Sequence, residues 1–388
     1  MDILLKIAII LLIAKFCGYL AIRIKLPEAF GALLGGIIIG PMLGIVSFSE
    51  DVSLFGNLGV IFLLFLAGLE TNFEELKGVG ISPFIIAVGG LALSIALGYL
   101  IGILYGYPRI TALFLGGVLM SSSVGLTTSV LIEMKKLHTK EGTTILASAV
   151  IDDILGLIAL AIIIAISKSG HIEVREIVIL LAEIIAYFTL SYLLGSSLVK
   201  GALKIAGRID VPEALTAVAI ALMLIFSYLA EEVKIASITG AYLAGLIISK
   251  TPESQRIKDK VYTIAFSIFI PAFLVGVGAN TNINSLIKAG SFTIVFFGIA
   301  ILTKTLGCGI GALITKRFTL EEALKVGLGM IPRMEVSLVV ANSALIGKIF
   351  DESIFTASIT MILLTTIAAP IFLKWAFSRA AQEASLKA

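Results

Sequence analysis

Charge is scarce in this 388-residue chain: 14% of its residues are Asp, Glu, Lys or Arg, against about 25% in an ordinary soluble domain. There are two histidines, two cysteines, one tryptophan and nine prolines. Cys17 and Cys308 both lie in apolar stretches, which excludes a disulfide framework and a zinc spacing. So few prolines argue against a disordered chain, and two histidines against a metal scaffold. A net charge of +3 gives no reason to expect a nucleic-acid partner, and no cofactor is expected. What fills the sequence is apolar: 59% hydrophobic residues and a mean hydropathy of +1.10. Packing of a soluble core does not require that much, so the chain reads as an all-α polytopic membrane protein.

A membrane helix needs about 20 mostly apolar residues. By that measure about thirteen transmembrane helices are expected. They are read at 2–22, 28–46, 54–71, 80–104, 109–133, 142–167, 174–199, 212–230, 235–250, 260–280, 289–315, 319–347 and 355–378. The first stretch is span-length and lacks a small-residue cleavage pattern behind a basic start, so it is expected to stay as a helix rather than be removed. Of the 29 Lys and Arg residues, 18 fall in the loops and tail on one side, six on the other and five within spans. Basic residues gather on the cytoplasmic side. The expected location is therefore the cell membrane, with the N-terminus outside and the C-terminus inside.

Two segments recur. Gly31-Ala-Leu-Leu-Gly-Gly-Ile-Ile-Ile matches Gly240-Ala-Tyr-Leu-Ala-Gly-Leu-Ile-Ile at six of nine positions, displaced by 209. Gly68-Leu-Glu-Thr-Asn-Phe-Glu-Glu-Leu matches Gly278-Ala-Asn-Thr-Asn-Ile-Asn-Ser-Leu at four of nine, displaced by 210. The displacement carries spans 1–6 onto 8–13 and leaves span 7 as a connector. Seven spans is an odd number, so the second copy crosses the membrane in the opposite sense. Such an inverted-topology repeat is the architecture of many secondary transporters, with the substrate site near the midplane.

The polar chemistry sits at mid-span. A charge at the bilayer centre costs roughly 2.5–3.5 kcal/mol even on lenient scales, so it needs a partner or a task. Asp152 and Asp153 lie in the middle of span 6, Lys304 of span 11, and Arg333 and Glu335 of span 12. Adjacent helical residues point about 100° apart, so both aspartates cannot face one partner. One is expected to pair with Lys304 and the other to face a polar cavity. Arg333 and Glu335 can offset each other if the backbone around Pro332 is not helical. Span 5 carries Ser121-Ser122-Ser123-Val124-Gly125-Leu126-Thr127 at its middle, a matching weakness around Gly125. Two broken spans in corresponding positions are the best sequence pointer to a transporter's ion site. Ser122, Ser123 and Thr127 are candidate ligands beside the aspartates, although for any single hydroxyl a backbone contact is the commoner fate. Lys15, Glu70 and Glu183 are weaker candidates, read as helix pairing or a solvated helix end, and His138 and His171 as loop residues.

Together Gly40-Pro41, Phe65-Leu-Ala-Gly-Leu-Glu70, Ser123-Val-Gly-Leu-Thr127, Val150-Ile-Asp-Asp-Ile-Leu-Gly156, Lys304 and Pro332-Arg-Met-Glu-Val336 resemble the monovalent cation/proton antiporter-2 family, specifically its thirteen-span bacterial and archaeal sodium/proton antiporters. The resemblance implies two crossing broken helices, spans 5 and 12, and a homodimer. It implies a dimerisation domain from residues 1–78 and 212–288, an ion-transport core from 79–173 and 289–380, and a linker helix at 174–211. It further implies that Asp153 binds sodium while Asp152 pairs with Lys304, and that transport is electrogenic, with two protons per sodium. Met334 departs from the glycine common in the family between arginine and glutamate.

A membrane-embedded enzyme is the rival from another class, but no His-Glu-x-x-His or Gly-x-Ser-x-Gly motif occurs, so none is expected. A channel would need an open polar path rather than one charged layer. Within transporters, potassium/proton exchange, lithium transport and sodium-coupled organic anion uptake stay open.

Overall fold

The computed structural model describes residues 3–46, 50–71, 74, 78–169, 174–279 and 290–387. Among them, ten helices are long and apolar enough to cross a membrane, and three shorter apolar helices at Glu28–Met42, Ser237–Ile248 and Val336–Ile346 complete the thirteen expected crossings. Divided at their breaks and π-turns, the α-helical segments in chain order are α1 (Ile3–Arg23), α2 (Glu28–Ile37), α3 (Glu50–Glu70), α4 (Ser82–Leu104), α5 (Arg109–Met120), α6 (Val124–Glu133), α7 (Lys140–Ser169), α8 (Val174–Ala206), α9 (Ala214–Glu232), α10 (Ser237–Ile248), α11 (Ser254–Ile264), α12 (Ile270–Ala279), α13 (Ser291–Ile314), α14 (Leu320–Gly329), α15 (Glu335–Ile346) and α16 (Glu352–Lys387). Helices satisfy their own backbone groups, which is why lipid admits them. The long helices are mostly apolar, and the charged residues they bury at mid-helix are Asp152 and Asp153 of α7 and Lys304 of α13.

The repeat is visible in the helix boundaries. Glu28 and Ser237, which open α2 and α10, lie 209 apart, as do Arg23 and Glu232, which close α1 and α9. Ser82 and Ser291, which open α4 and α13, are also 209 apart. The close crossings repeat as well. A Cβ at Gly36 of α2 would stand 2.1 Å from the Val275 carbonyl oxygen of α12, and one at Gly245 of α10 would stand 2.3 Å from that of Phe65 in α3. On the facing helices, Gly278 would meet Leu33 O at 2.0 Å and Gly68 would meet Tyr242 O at 2.2 Å. All four contacts map onto one another at displacements of 209 or 210. Without a hydrophobic force between helices in lipid, small residues that let backbones touch hold such crossings together. The second matched segment runs into 280–289, which lie outside the described residues.

Two groups of helices result. In one, α3 packs on α10 and α12, α2 on α1 and α12, and α9 on α10; in the other, α4 packs on α13, α5 and α7, α13 on α14 and α16, and α5 on α15. They meet chiefly where α6 lies against α2 and α3 and where α16 reaches α2. Prolines are accommodated locally: Pro41 sits in a wide π-turn at Ile38–Met42, and another at Ala265–Phe269 precedes Pro271. A π-turn removes the i−4 carbonyl clash that proline otherwise causes.

Helix ends carry a second regularity. Lys25, Lys135, Lys234, Lys316 and Lys348 all adopt left-handed φ between 54° and 60°, the position where glycine usually stops a helix. Lys25 and Lys234 are again 209 apart. A lysine there places its charge at the negative helix end and extends its ammonium toward the headgroups.

Gly36→Ala and Gly245→Ala are therefore expected each to lower stability by about 1–3 kcal/mol, because the obstructing atom is a carbonyl that no rotamer change can move. Gly201→Ala, where a Cβ would meet nothing within 4 Å, should leave the melting temperature of the detergent-purified protein unchanged.

Candidate functional site

Both expected breaks exist. Helix α5 ends at Met120, the chain runs extended through residues 121–123, and α6 begins at Val124. Helix α14 ends at Gly329, residues 331–334 are non-helical, and α15 begins at Glu335. Span 5 gives way at the three serines that open the expected run of hydroxyl residues, while Gly125 lies inside α6. A Cβ at Gly125 would stand 2.5 Å from Val60 of α3, so that glycine serves close packing between the two helix groups. The serines suit the break because their hydroxyls find partners there that an apolar side chain could not.

Those partners lie on the other broken span. The Ser123 amide donates to Pro332 O at 2.6 Å, the Ser122 hydroxyl to Met330 O at 2.8 Å and the Thr127 hydroxyl to Gly329 O at 2.8 Å. Ser123 also caps α6, its hydroxyl accepting from Leu126 N at 3.4 Å. Of the three expected ligands, then, Ser122 and Thr127 stitch one break to the other and Ser123 caps a helix. Met334 turns the chain into α15 with φ −150° and ψ −99°.

The charges are fully buried: Asp152, Lys304 and Arg333 are 0% exposed and Asp153 is 4% exposed. The Lys304 ammonium donates to both Asp152 oxygens, at 2.9 and 2.8 Å, and to Met120 O at 2.5 Å. An ammonium has three donors, so it is saturated. The Asp152 carboxylate also accepts from Ser122 N at 2.8 Å. Arg333 reaches Leu119 O at 3.2 Å, Ile331 O at 2.9 Å, Ala300 O at 2.8 Å and the Thr303 hydroxyl at 3.2 Å. The Thr366 hydroxyl of α16 donates to Arg333 O at 3.1 Å. Both cations thus sit on the negative C-terminal ends of α5 and α14, and the Asp152 anion on the positive start of α6, as the helix dipoles favour. Glu335 opens α15, but its side chain lies outside the described residues. What holds Arg333 among them is a set of carbonyls and a hydroxyl.

Asp153, turned away from this pair by one residue of helix, accepts from the Ser121 hydroxyl at 3.3 Å. Ser121 was not among the expected ligands; the run offered three equivalent serines, and only the direction of the extended chain selects the first. A carboxylate beside a hydroxyl is a hard-oxygen pair of the kind small hydrated cations take. Farther out, Lys15 pairs with Glu28 at 2.8 Å and Glu70 with Lys258 at 3.6 Å and His138 at 4.0 Å. Glu183 is exposed on α8, and His171 lies outside the described residues.

Breaking a buried ion pair by removing one partner typically costs about 3–5 kcal/mol. Lys304→Ala and Asp152→Asn should each lower the melting temperature visibly. The double variant should lose less than the sum of the two, since with both partners replaced no lone charge stays buried. Unchanged melting in both single variants would overturn the pairing.

The chain is 36% identical to the Na(+)/H(+)-K(+) antiporter GerN of Bacillus cereus, over 99% of this chain and 98% of the relative. It is 31% identical to the high-affinity Na(+)/H(+) antiporter NhaS3 of Synechocystis, over 98% and 91% of the two chains. In fold it is similar to the solved sodium proton antiporter MjNhaP1 of Methanocaldococcus jannaschii, with a TM-score of 0.69 and 18% identity over 96% of this chain and 97% of that one. Residues 9–379 match the family model described as sodium/hydrogen exchanger, transmembrane. The chain therefore belongs to the sodium/hydrogen exchanger family, a family of membrane transporters and not of enzymes.

Proposed function

We propose that the protein is a sodium/proton antiporter in which both ions compete for the carboxylate of Asp153. The observation that carries this reading is the division of labour between the adjacent aspartates. Asp152 is occupied by Lys304 and a backbone amide. Asp153 is equally deep and sits beside the Ser121 hydroxyl, a hard-oxygen pair of the kind small cations take, so it is the carboxylate suited to exchanging ions. The name of GerN includes potassium, which favours potassium as a second transported cation.

Alternating access needs two bodies that move against each other. The packing supports residues 79–173 and 289–380 as the moving core and residues 1–78 and 212–288 as the scaffold through which two copies pair, joined by 174–211. The excess of Lys and Arg on one face supports an N-terminus outside and a C-terminus inside.

Charge counting supports electrogenic exchange. One carboxylate alone trades one proton for one sodium. A second titrating group, Lys304 losing a proton as sodium enters or Asp152 gaining one as it leaves, makes the exchange two protons per sodium. Each net charge crossing 100 mV is worth roughly 2.3 kcal/mol, enough for the membrane potential to drive export at a small pH gradient.

Reconstituted in liposomes with a trapped pH dye, the wild type should move protons when a sodium gradient is imposed, with no organic substrate added. Asp153→Asn keeps the side-chain shape and removes the exchangeable charge, so it should abolish this signal at an unchanged melting temperature; appreciable sodium-dependent proton movement would overturn the assignment.

With voltage clamped by valinomycin and potassium, and sodium as the exchanged ion, the flux end-point should shift with the imposed potential. An end-point that ignores voltage would establish one-for-one exchange and leave Lys304 a structural role.

A further inference from the structure

The two helix groups are joined by a polar contact that transport chemistry at Asp153 does not require. Glu133 is the last residue of α6, in the group that holds the broken spans. Its carboxylate accepts the backbone N–H of Glu28 and, at 3.1 Å, that of Ala29. These are the first two residues of α2, in the other group. First-turn amides of a helix lack intrahelical partners and lie at its positive end, so a carboxylate there makes charge-assisted bonds.

Helix α2 does not cap itself. Its N-cap residue is Pro27, which makes no side-chain cap bond, and the Glu28 side chain turns away to Lys15. The cap is supplied across the boundary between the groups. Directly beside it lies a cavity of about 20 Å³, lined in part by Ala14, Ala32, Ser129, Ile270 and Leu274, room for about one water. Ser129 is one helical turn before Glu133 and 3% exposed. The cavity therefore occupies the cleft between the groups, along α6 from the lysine-rich face toward the break.

We propose that the Glu133 carboxylate is a latch that clamps α6 to the start of α2, closes the cleft at the lysine-rich face and must release for that cleft to open. A pair of hydrogen bonds to one carboxylate tolerates little sliding before it fails, so the contact belongs to one conformation and not to both. The latch rests on the two-body reading above and not on which ion is carried.

The test reads access to Ser129→Cys in the full-length protein, in a Cys17→Ser background; Cys308 is fully buried. A charged methanethiosulfonate reagent is added to reconstituted protein, and the labelling rate is compared with Glu133 intact, Glu133→Gln and Glu133→Ala. Labelling should be about tenfold faster or more in Glu133→Ala, the scale of one charge-assisted hydrogen bond. Glu133→Gln, which keeps a neutral acceptor, should fall between. Equal rates would overturn the latch. Adding Pro27→Asp to Glu133→Ala gives α2 a cap of its own: labelling that stays fast supports the latch. A return to the slow rate would mean that fraying of α2 alone explains the access, and would overturn it. Labelling requires no ion movement, so these outcomes are distinct from failure of the antiport reading.

Discussion

Interrupting a helix inside a membrane frees backbone amides and carbonyls where no bulk water can reach them. The centre of this protein depends on how those groups are satisfied. The interruption in span 5 and that in span 12 answer each other through Ser122, Ser123 and Thr127. The carbonyls left over, at Leu119, Met120 and Ile331, are taken by Arg333 and Lys304. The Ser122 amide is taken by Asp152. Buried charges are costly as isolated ions, but here each fills a place that the broken backbone had opened.

The two halves are symmetric in their backbone and asymmetric in their charge. Helix starts, glycine crossings and lysine helix ends recur at displacements of 209 or 210. The first half supplies the mid-membrane acids Asp152 and Asp153 and the serine break, while the second supplies Lys304 and Arg333. Opposite charges from opposite halves meet at one depth, which makes the core one electrostatic unit although its helices come from separate stretches of chain. The glycine crossings do the corresponding work in the other group, where backbone-to-backbone contact replaces charge.

The two adjacent aspartates of the core have different surroundings. Asp152 is held by Lys304 and an amide, so its position follows the core. Asp153 accepts from the Ser121 hydroxyl at 3.3 Å, a longer bond than those that hold Asp152. Between the two helix groups, polar contacts near the lysine-rich face include Glu133 on α2 and Glu70 with His138.

The sequence alone determined the membrane class, the number of crossings and the inverted repeat. Those rest on hydropathy over about 20 residues and on matched segments, both local properties of the chain. It also marked Asp152, Asp153, Lys304 and Arg333, because an ionisable residue at mid-span is conspicuous by its cost alone. Which serine meets which group was not legible. Ser121, Ser122 and Ser123 are chemically identical, and the extended backbone between α5 and α6 points each in a different direction. Likewise no local signal told that Glu133 would cap a helix more than a hundred residues earlier, or that Gly125 would pack on Val60. Contacts of that kind are set by how separate helices come to lie side by side, and only the tertiary structure decides them.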